Sequence, residues 1–451
     1  MKIKFLGAAG NVTGSKYLLS YNDKNILVDC GLFQGNKEVR ALNWEKLAIA
    51  PKKIDAVILS HAHIDHSGYI PLLVKNGFNG KIFCSDATFD LCKILLPDSG
   101  YLNEEDARNA NKYKYSKHDP ALPLYTKDDA LESLNFFQTV SFEKENFLDK
   151  DLSFILSPAG HILGASIVSI FYGKKNIVFS GDLGRPNDPI MPDPTPMHYA
   201  DYLLIESTYG NRLHEKVDPE EVLKEVINKT AANGGKIIIP AFAVGRAQSI
   251  MYHLYRLKEK NLIPNIPIFL DSPMAIDASD LLIKYANEHK LSKELSSKIC
   301  KVAKYVRTAE ESKTLNETKM PMIIISASGM AEGGRILHHL KYNISDHQNT
   351  ILFTGFQVEG TRGERILSGA KEIKIHGTYY PVQANIVNLG SMSAHSDYSE
   401  TLTWLKNFKQ PPIKTFITHG SAKSAEALQE KITNDLGWNV VIPEYLNSEE
   451  L

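Results

Sequence analysis

The chain has 451 residues and carries 51 lysines and arginines against 52 aspartates and glutamates, a formal net charge of −1. This balance gives no long-range field that would draw the protein to nucleic acid, so a polyanion would have to be held by local positive charge, metal ions or backbone donors. The hydrophobic content of 43% and the charged content of 23% exclude a disordered or fibrous protein, and no stretch approaches the roughly 20 apolar residues that would cross a bilayer.

The N-terminal part predicts short strands that alternate with helices. Apolar residues alternate with lysine in the first seven positions, which is typical of a first strand rather than of a signal peptide. Further apolar runs follow, and several of them end at a polar residue. The predicted strands cover residues 2–6, 16–21, 25–30, 54–60, 81–85, 154–158, 165–171, 176–180 and 200–205. This order of elements predicts an α/β fold.

The strongest chemical signal is a group of four potential metal ligands after the predicted strand at residues 54–60. They precede a Ser-Gly turn and are His61, His63, Asp65 and His66. Imidazole nitrogens and a carboxylate are ligands that divalent zinc prefers. The first two converge on one ion if the chain stays extended, whereas the last two point to a neighbouring position after the turn. The spacing therefore predicts two adjacent metals rather than a solvated loop.

The pattern changes after about residue 208. Strand, small-residue loop and helix then repeat, with strands at residues 236–240, 266–270, 322–325 and 350–353. Strands that alternate with helices predict a parallel, doubly wound sheet, inserted as a second architecture. After about residue 375 the earlier pattern returns, with strands at 384–389 and 414–418 before His395 and His419. The tail predicts one helix and a short strand.

The motifs carry a family resemblance. The strand-terminal His-x-His-x-Asp-His, followed by His161, Asp182 and His419, resembles the ordered ligand set of the metallo-β-lactamase superfamily. Glu206, His395 and His419 are similar to three additional motifs of its β-CASP branch, which includes the cleavage and polyadenylation specificity factor endonuclease and its bacterial and archaeal relatives. The resemblance spans nearly the whole chain and implies RNA processing.

The resemblance also implies the fold and its domains. An αββα metallo-β-lactamase sandwich would be interrupted by an inserted Rossmann-like β-CASP domain and then completed by the C-terminal segment. The implied bounds are 1–208 for the first part of the sandwich, 209–375 for the β-CASP domain and 376–451 for the completion. The changes of pattern near residues 208 and 375 agree with this plan.

Two zinc ions are the cofactors that the resemblance implies. The ligands of the first would be His61, His63, His161 and Asp182. The ligands of the second would be Asp65, His66, Asp182 and His419, so that Asp182 bridges the two ions. Asp29 matches a strand-end aspartate that supports the ligands in this family, although its position alone is equally typical of a plain turn residue.

The same motifs imply the catalytic residues. His395 would protonate the leaving oxygen of a phosphodiester, and Glu206 would orient its ring and keep it cationic. Asp65 would have two roles, as a metal ligand and as a catalytic residue. From the residues alone, Glu206 could instead be a buried network residue and His395 an ordinary loop histidine. His419 favours RNA, because RNA-processing members carry histidine at that motif whereas DNA-repair members typically carry valine.

Four residues are candidates for holding the substrate. Ser328 and Gly329 stand in a glycine-containing turn between strand and helix, which is typical of an anion site but also of close helix–sheet packing. The resemblance places Arg246 in the substrate channel, the competing interpretation being a surface arginine. Ser393 is the fourth candidate for binding the substrate.

The leading hypothesis is a cytoplasmic, zinc-dependent ribonuclease that hydrolyses single-stranded RNA. Such a protein would have no membrane partner and could form a homodimer. The four cysteines form no close sequence pair, which suits a reducing compartment and disfavours a cysteine zinc site. The alternative is a metallo-hydrolase of a small substrate such as a thioester, lactone or β-lactam. A third hypothesis is an RNA-binding scaffold with an inactive metal site, against which the intact ligand positions argue.

Overall fold

The structure, a computed structural model, describes residues 1–114, 116–355 and 357–451. It divides into two compact units. The first joins Met1–Leu213 to His395–Leu451, and the second is His214–Ala394. Among the described residues, no helix combines the length and the apolar character that crossing a membrane would require.

The strands are β1 (Lys2–Phe5), β2 (Tyr17–Tyr21), β3 (Lys24–Val28), β4 (Ala56–Ile58), β5 (Lys81–Cys84), β6 (Phe137–Thr139), β7 (Asn146–Asp149), β8 (Leu152–Pro158), β9 (Ser166–Tyr172), β10 (Lys175–Phe179), β11 (Tyr202–Glu206), β12 (Ile237–Pro240), β13 (Ile268–Leu270), β14 (Lys304–Tyr305), β15 (Ile323–Ser326), β16 (Thr350–Phe353), β17 (Glu372–Ile375), β18 (Thr378–Pro381), β19 (Asn385–Asn388), β20 (Lys414–Thr418), β21 (Val440–Val441) and β22 (Ser448–Glu450).

The helices are α1 (Lys37–Ala41), α2 (Ile64–Ser67), α3 (Ile70–Lys75), α4 (Asp86–Tyr113), α5 (Lys127–Ser133), α6 (Pro219–Ala232), α7 (Arg246–Glu259), α8 (Pro273–Lys284), α9 (Lys293–Cys300), α10 (Ala309–Glu317), α11 (Arg335–Asn343), α12 (Arg362–Leu367), α13 (Tyr398–Leu405) and α14 (Ala422–Leu436).

The first unit is a sandwich of two sheets. In the described residues the strand orders are β22-β1-β2-β3-β4-β5-β6 and β21-β20-β11-β10-β9-β8-β7. Aromatic rings of the two sheets meet in a common core, since the ring centroids of Phe5 and Phe416 lie 5.3 Å apart and those of Phe83 and Phe154 also 5.3 Å apart. Burying one such side chain stabilises the fold by about 1.5 to 3 kcal/mol. Helix α4 packs against β6 and α14 packs against β20, so helices cover the sandwich.

The second unit contains a parallel sheet in the order β14-β13-β15-β12-β16-β19. Strands β12 and β15 are fully buried and rich in isoleucine, as expected of parallel strands covered on both faces. The chain moves from β12 outward to β13 and β14, and then returns through β15 to build β16 and β19 on the other side. The order of strands therefore reverses next to β12. The predicted α/β class, a sandwich with a Rossmann-like insertion, is confirmed.

Details of the second half differ from the sequence pattern. The composition predicted a return to the first domain near residue 375, but β19 pairs in parallel with β16 and the chain stays in the second unit until Ala394. The β17–β18 hairpin had no counterpart in the prediction. The tail holds two short strands instead of one, because the polar segment β22 pairs through its backbone with β1.

Candidate metal centre

Four side chains meet where strands of the first unit end, and we call them the first cluster: His61, His63, His161 and Asp182. His61 follows β4, His161 follows β8 and Asp182 follows β10, each within three residues of the strand. These three residues expose only 0%, 3% and 2% of their surface. Because rigid strands hold them and water is almost excluded, their relative positions are fixed by the fold.

Four distances between potential ligand atoms of the first cluster are close to those between the ligands of one small cation. Nε2 of His61 and Nε2 of His161 lie 3.1 and 3.2 Å from Nδ1 of His63. The same two atoms lie 3.4 and 3.5 Å from Oδ2 of Asp182. With ligand distances of about 2.0 to 2.1 Å, the edge of a tetrahedral zinc site is about 3.3 Å long. The donor set and its spacing therefore fit a divalent ion of this size.

A second cluster adjoins the first and consists of Asp65, His66, His419 and again Asp182. Nε2 of His66 lies 3.1 Å from Nε2 of His419 and 3.1 Å from Oδ1 of Asp182. Nε2 of His419 lies 3.4 Å from Oδ2 of Asp65. Asp182 thus offers one oxygen to each cluster, and its buried Oδ1 accepts no hydrogen bond from the described residues. A buried carboxylate oxygen in this condition is an expected contact for a cation.

The electrostatics of the two clusters differ. Burial lowers the pKa of His61 and lowers that of His63 to about 3. Burial acts in the same direction on His66 and His419, but the neighbouring carboxylates outweigh it. Asp182 and Asp29 raise the pKa of His66, and Asp182 with Asp65 raises that of His419 to about 10. The carboxylates therefore create a field that favours positive charge, as a cation site requires.

Asp29 follows β3 and contacts a predicted ligand directly. Nδ1 of His66 donates to Oδ2 of Asp29 at 2.8 Å. Ser60 donates to the same carboxylate twice, through its backbone N at 2.7 Å and through Oγ at 2.9 Å. The Ser60 hydroxyl also lies 3.1 Å from Nδ1 of His61. A plain turn residue would not make these contacts.

Glu206 and His395 form a hydrogen-bonded pair beside the clusters. Nδ1 of His395 lies 3.1 Å from Oε2 of Glu206 and 3.9 Å from Oδ2 of Asp182. Burial would lower the pKa of His395, but the charge and the hydrogen bond of Glu206 reverse this and raise it. The side chain of His395 is 19% exposed, so a ring whose protonated form is favoured is accessible next to the buried carboxylates.

The predicted substrate-binding residues belong to the second unit. Ser328 and Gly329 follow β15, and Arg246 is the first residue of α7 after β12. A Cβ on Gly329 would lie 2.8 Å from the backbone N of Phe242, so the two loops touch. Arg246 is only 9% exposed, which excludes a surface arginine. These loops lie where the strand order reverses, the place at which open parallel sheets bind ligands.

The fourth of these residues, Ser393, is 4% exposed and ends the helical turn Gly390–Met392. The hydroxyl oxygen of Ser328 accepts hydrogen bonds from the backbone N of Glu332 at 3.1 Å and of Gly333 at 3.4 Å. This hydroxyl oxygen therefore stabilises the loop to which Ser328 itself belongs. Binding of phosphate by Ser328 and Gly329 stays a prediction for their backbone groups.

Two residues of the site were not predicted from the sequence. Ser60 directly precedes His61, and Thr208 stands two residues after Glu206. Oγ1 of Thr208 donates to Oε2 of Glu206 at 2.6 Å and lies 3.1 Å from Nδ1 of His419. Hydroxyl residues next to strand ends are too common for this spacing to have singled them out.

Three family models match the chain. The metallo-beta-lactamase superfamily matches residues 9–221, the Beta-Casp domain matches residues 247–366, and the Zn-dependent metallo-hydrolase RNA specificity domain matches residues 379–443. The fold is also similar to a crystal structure of a protein of unknown function from Enterococcus faecalis V583. That comparison has a TM-score of 0.55 at 15% identity, over 100% of this chain and 99% of that one, and bears on the fold alone.

Several relatives match over most of the chain. Ribonuclease TTHA0252 of Thermus thermophilus is 35% identical over 95% of both chains. The RNase J-like protein of Methanocaldococcus jannaschii is 30% identical over 93% of this chain and 92% of its own length. Transcription termination factor FttA of the same organism is 30% identical over 93% of this chain and 67% of its own length. The chain therefore belongs to the β-CASP family of metallo-β-lactamase-fold hydrolases.

Proposed function

We propose that the protein is a ribonuclease that hydrolyses phosphodiester bonds of single-stranded RNA with two zinc ions. The first cluster would hold one ion and the second cluster the other, with Asp182 contributing to both. The observation that carries the proposal is the position of His395, whose Nδ1 lies 3.9 Å from Oδ2 of Asp182 and 3.1 Å from Glu206. A proton donor thus stands beside the carboxylate that the two clusters share.

Bound zinc would supply hydroxide at neutral pH and would offset the negative charge of the phosphodiester. The protein's own residues account for the proton transfers. Nδ1 of His395 donates to Glu206, so the proton available to the leaving oxygen is the one on Nε2. Asp65, whose side chain is 19% exposed, is the carboxylate we assign to accept a proton from the attacking water.

Glu206 has the contacts of an orienting residue. It is 3% exposed, and the backbone N of Leu183 donates to its Oε1 at 2.6 Å. Held in this way, the carboxylate fixes the rotation of the His395 ring and keeps it cationic, which a general acid needs before it donates. Hydrolysis of a thioester or lactone has no evident use for such a pair, so the small-substrate alternative has less support.

RNA is the substrate class that the relatives support. Two of them carry names that denote RNA cleavage, and both match more than nine-tenths of this chain. We propose that backbone donors of Ser328 and Gly329 and the side chains of Arg246 and Ser393 bind phosphates of the RNA. Asp29 would support His66 as a ligand. A cytoplasmic location and a homodimer stay predictions, the second to be checked by light scattering.

The test uses purified protein of measured metal content and end-labelled single-stranded RNA. We expect about two zinc ions per chain, cleavage that is lost on chelation, and recovery when zinc is returned. A duplex of the same sequence, a thioester and a lactone serve as comparison substrates. A protein that holds two metals and leaves RNA intact, or that turns over only the thioester or lactone, would contradict the proposal.

The role of His395 is tested separately. His395→Ala should keep both ions but lose about 10² to 10⁴ in rate, the usual contribution of a general acid. The matched control is His198→Ala, which alters an exposed histidine of the same unit. Equal rates for the two variants would show that His395 is not the proton donor.

A further inference from the structure

Two buried hydroxyl groups each lie between a histidine of the clusters and a carboxylate. Oγ of Ser60 is 3.1 Å from Nδ1 of His61 and 2.9 Å from Oδ2 of Asp29. Oγ1 of Thr208 is 3.1 Å from Nδ1 of His419 and 2.6 Å from Oε2 of Glu206. Ser60 and Thr208 expose 1% and 3% of their surface, so water does not compete for these bonds.

The number of hydrogens determines the direction of each bond. A hydroxyl has one hydrogen, and an ionised carboxylate can only accept. The short distance from Thr208 to Glu206 is typical of a hydroxyl that donates to a charged oxygen. Each hydroxyl hydrogen therefore points to its carboxylate, and the hydroxyl oxygen can only accept from the histidine. Nδ1 of both histidines must then carry the hydrogen.

Other possible hydrogen-bond partners lie farther away. The backbone oxygen of His419 is 3.3 Å from Oγ1 of Thr208, and Nδ1 of His66 is 3.5 Å from Oγ of Ser60. Oδ1 of Asp182 is 3.5 Å from Nδ1 of His419. In the proposed function this oxygen belongs to the second ion, which leaves Thr208 as the partner of Nδ1.

We infer that Ser60 and Thr208 are positioning residues that fix the tautomers of His61 and His419. With hydrogen on Nδ1, a neutral imidazole presents the lone pair of Nε2, and Nε2 is the atom that both histidines direct into their clusters. Ser60 serves the first cluster and Thr208 the second. The inference rests on the proposed zinc ligands, and it assigns to each cluster its own hydroxyl.

The experiment measures zinc affinity in competition with a chromophoric chelator and needs no turnover. Thr208→Val removes the hydroxyl at constant shape and should weaken one of two ions by about 10- to 100-fold, the usual effect of losing a partner behind a ligand. Ser60→Ala should weaken the other ion to a similar extent. Thr208→Ser and Ser60→Thr, which keep a hydroxyl, should stay within about threefold of wild type.

A His419→Ala background identifies which ion each hydroxyl serves. In that background we expect Thr208→Val to have no further effect on the remaining ion, whereas Ser60→Ala should still weaken it. The matched controls are Thr415→Val and Ser169→Ala, which remove buried hydroxyls of the same unit that are not hydrogen-bonded within the described residues. Both controls should bind two ions with unchanged affinity.

The outcomes separate this inference from the proposed function. If the wild-type protein does not bind two ions, both fail. If it binds two ions and Thr208→Val binds them equally well, the inference alone fails. Failure of Thr208→Ser to restore affinity would reveal a packing role and would likewise overturn it. Should Thr208→Val not fold, as judged by circular dichroism, Thr208→Ala against Thr208→Ser gives the same comparison.

Discussion

Lys16 is a buried cation in the first unit, and replacing it with methionine measures what its charge costs the fold. Its ammonium lies 4.3 Å from the ring centroid of Phe33 and 4.9 Å from that of Tyr69, and it donates to the backbone oxygen of Gly31. Only 2% of the residue is exposed. Burial lowers the pKa of Lys16 from 10.5 to about 8, although the interaction with Cys30 acts in the opposite direction.

The lowered pKa has a definite sign in the unfolding free energy. Between pH 8 and 10.5 the unfolded chain binds the Lys16 proton and the folded chain releases it, so stability rises with pH. The full penalty of about 3 kcal/mol applies below pH 8 and is relieved as the pH approaches 10.5. Methionine has a similar length and no charge. The unfolding free energy of the wild type minus that of Lys16→Met should therefore rise by about 2 to 3 kcal/mol between about pH 7 and pH 10.

Urea denaturation followed by tryptophan fluorescence is a suitable assay. The three tryptophans, Trp44, Trp404 and Trp438, all belong to the first unit, so their signal reports on the unit that contains Lys16. Both proteins are measured at the same zinc concentration across the pH range. Lys46→Met, at an exposed lysine of the same unit, should show no such rise. A difference for Lys16→Met that is constant with pH, or that falls as the pH rises, would refute the reasoning.

Three further predictions concern the site. Glu206→Gln removes the charge that raises the pKa of His395, so the alkaline limb of the pH–rate profile should move to lower pH, and an unmoved limb would contradict the pairing. A Cβ on Gly31 would lie 1.6 Å from the backbone oxygen of Asp65, so Gly31→Ala should cost about 1 to 3 kcal/mol and weaken zinc binding, as denaturation and metal titration would reveal. Asp182→Ala should lose both ions and activity together, and retention of either ion in metal analysis would exclude a shared ligand.

The sequence alone singles out those predicted ligands that stand close together in the chain. His61 to His66 form a dense local pattern, whereas His161, Asp182 and His419 are single residues that only a family resemblance could select. Their convergence to within 3.1 to 3.5 Å of neighbouring ligand atoms depends on strands that end at one edge of the sandwich. Pairing between distant strands sets that arrangement, and a local pattern does not contain it.

The roles of Lys16 and Thr208 could not be predicted from the sequence, because both depend on contacts with residues far away in the chain. Lys16 opens the predicted strand at residues 16–21, where a charged side chain is typical of the surface, and its burial depends on Phe33 and Tyr69, which come from other parts of the chain. The role proposed for Thr208 depends on its contact with His419, which is 211 residues away in the chain.

The sheet to which strand β19 belongs could not be predicted from the sequence either. Its four residues have no property that favours one sheet over the other until their hydrogen bonds to β16 are known.

At two positions of the site the backbone adopts a conformation that residues other than glycine disfavour. These positions are Asp29 and His419. Asp29 and His419 have φ angles of 57° and 50°, each directly after a strand. A residue other than glycine held in this region costs of order 1 to 3 kcal/mol and persists where the surrounding structure enforces it. The backbone N of His419 donates to Ala8 at 2.8 Å, and that of Asp29 donates to Ile58 at 3.0 Å. Glycine would relieve the strain at both turns but would remove the contacts to His66 and Thr208. The strained turns are therefore explained by the contacts of these two side chains, with His66 for Asp29 and with Thr208 for His419, rather than by the way in which the strands end.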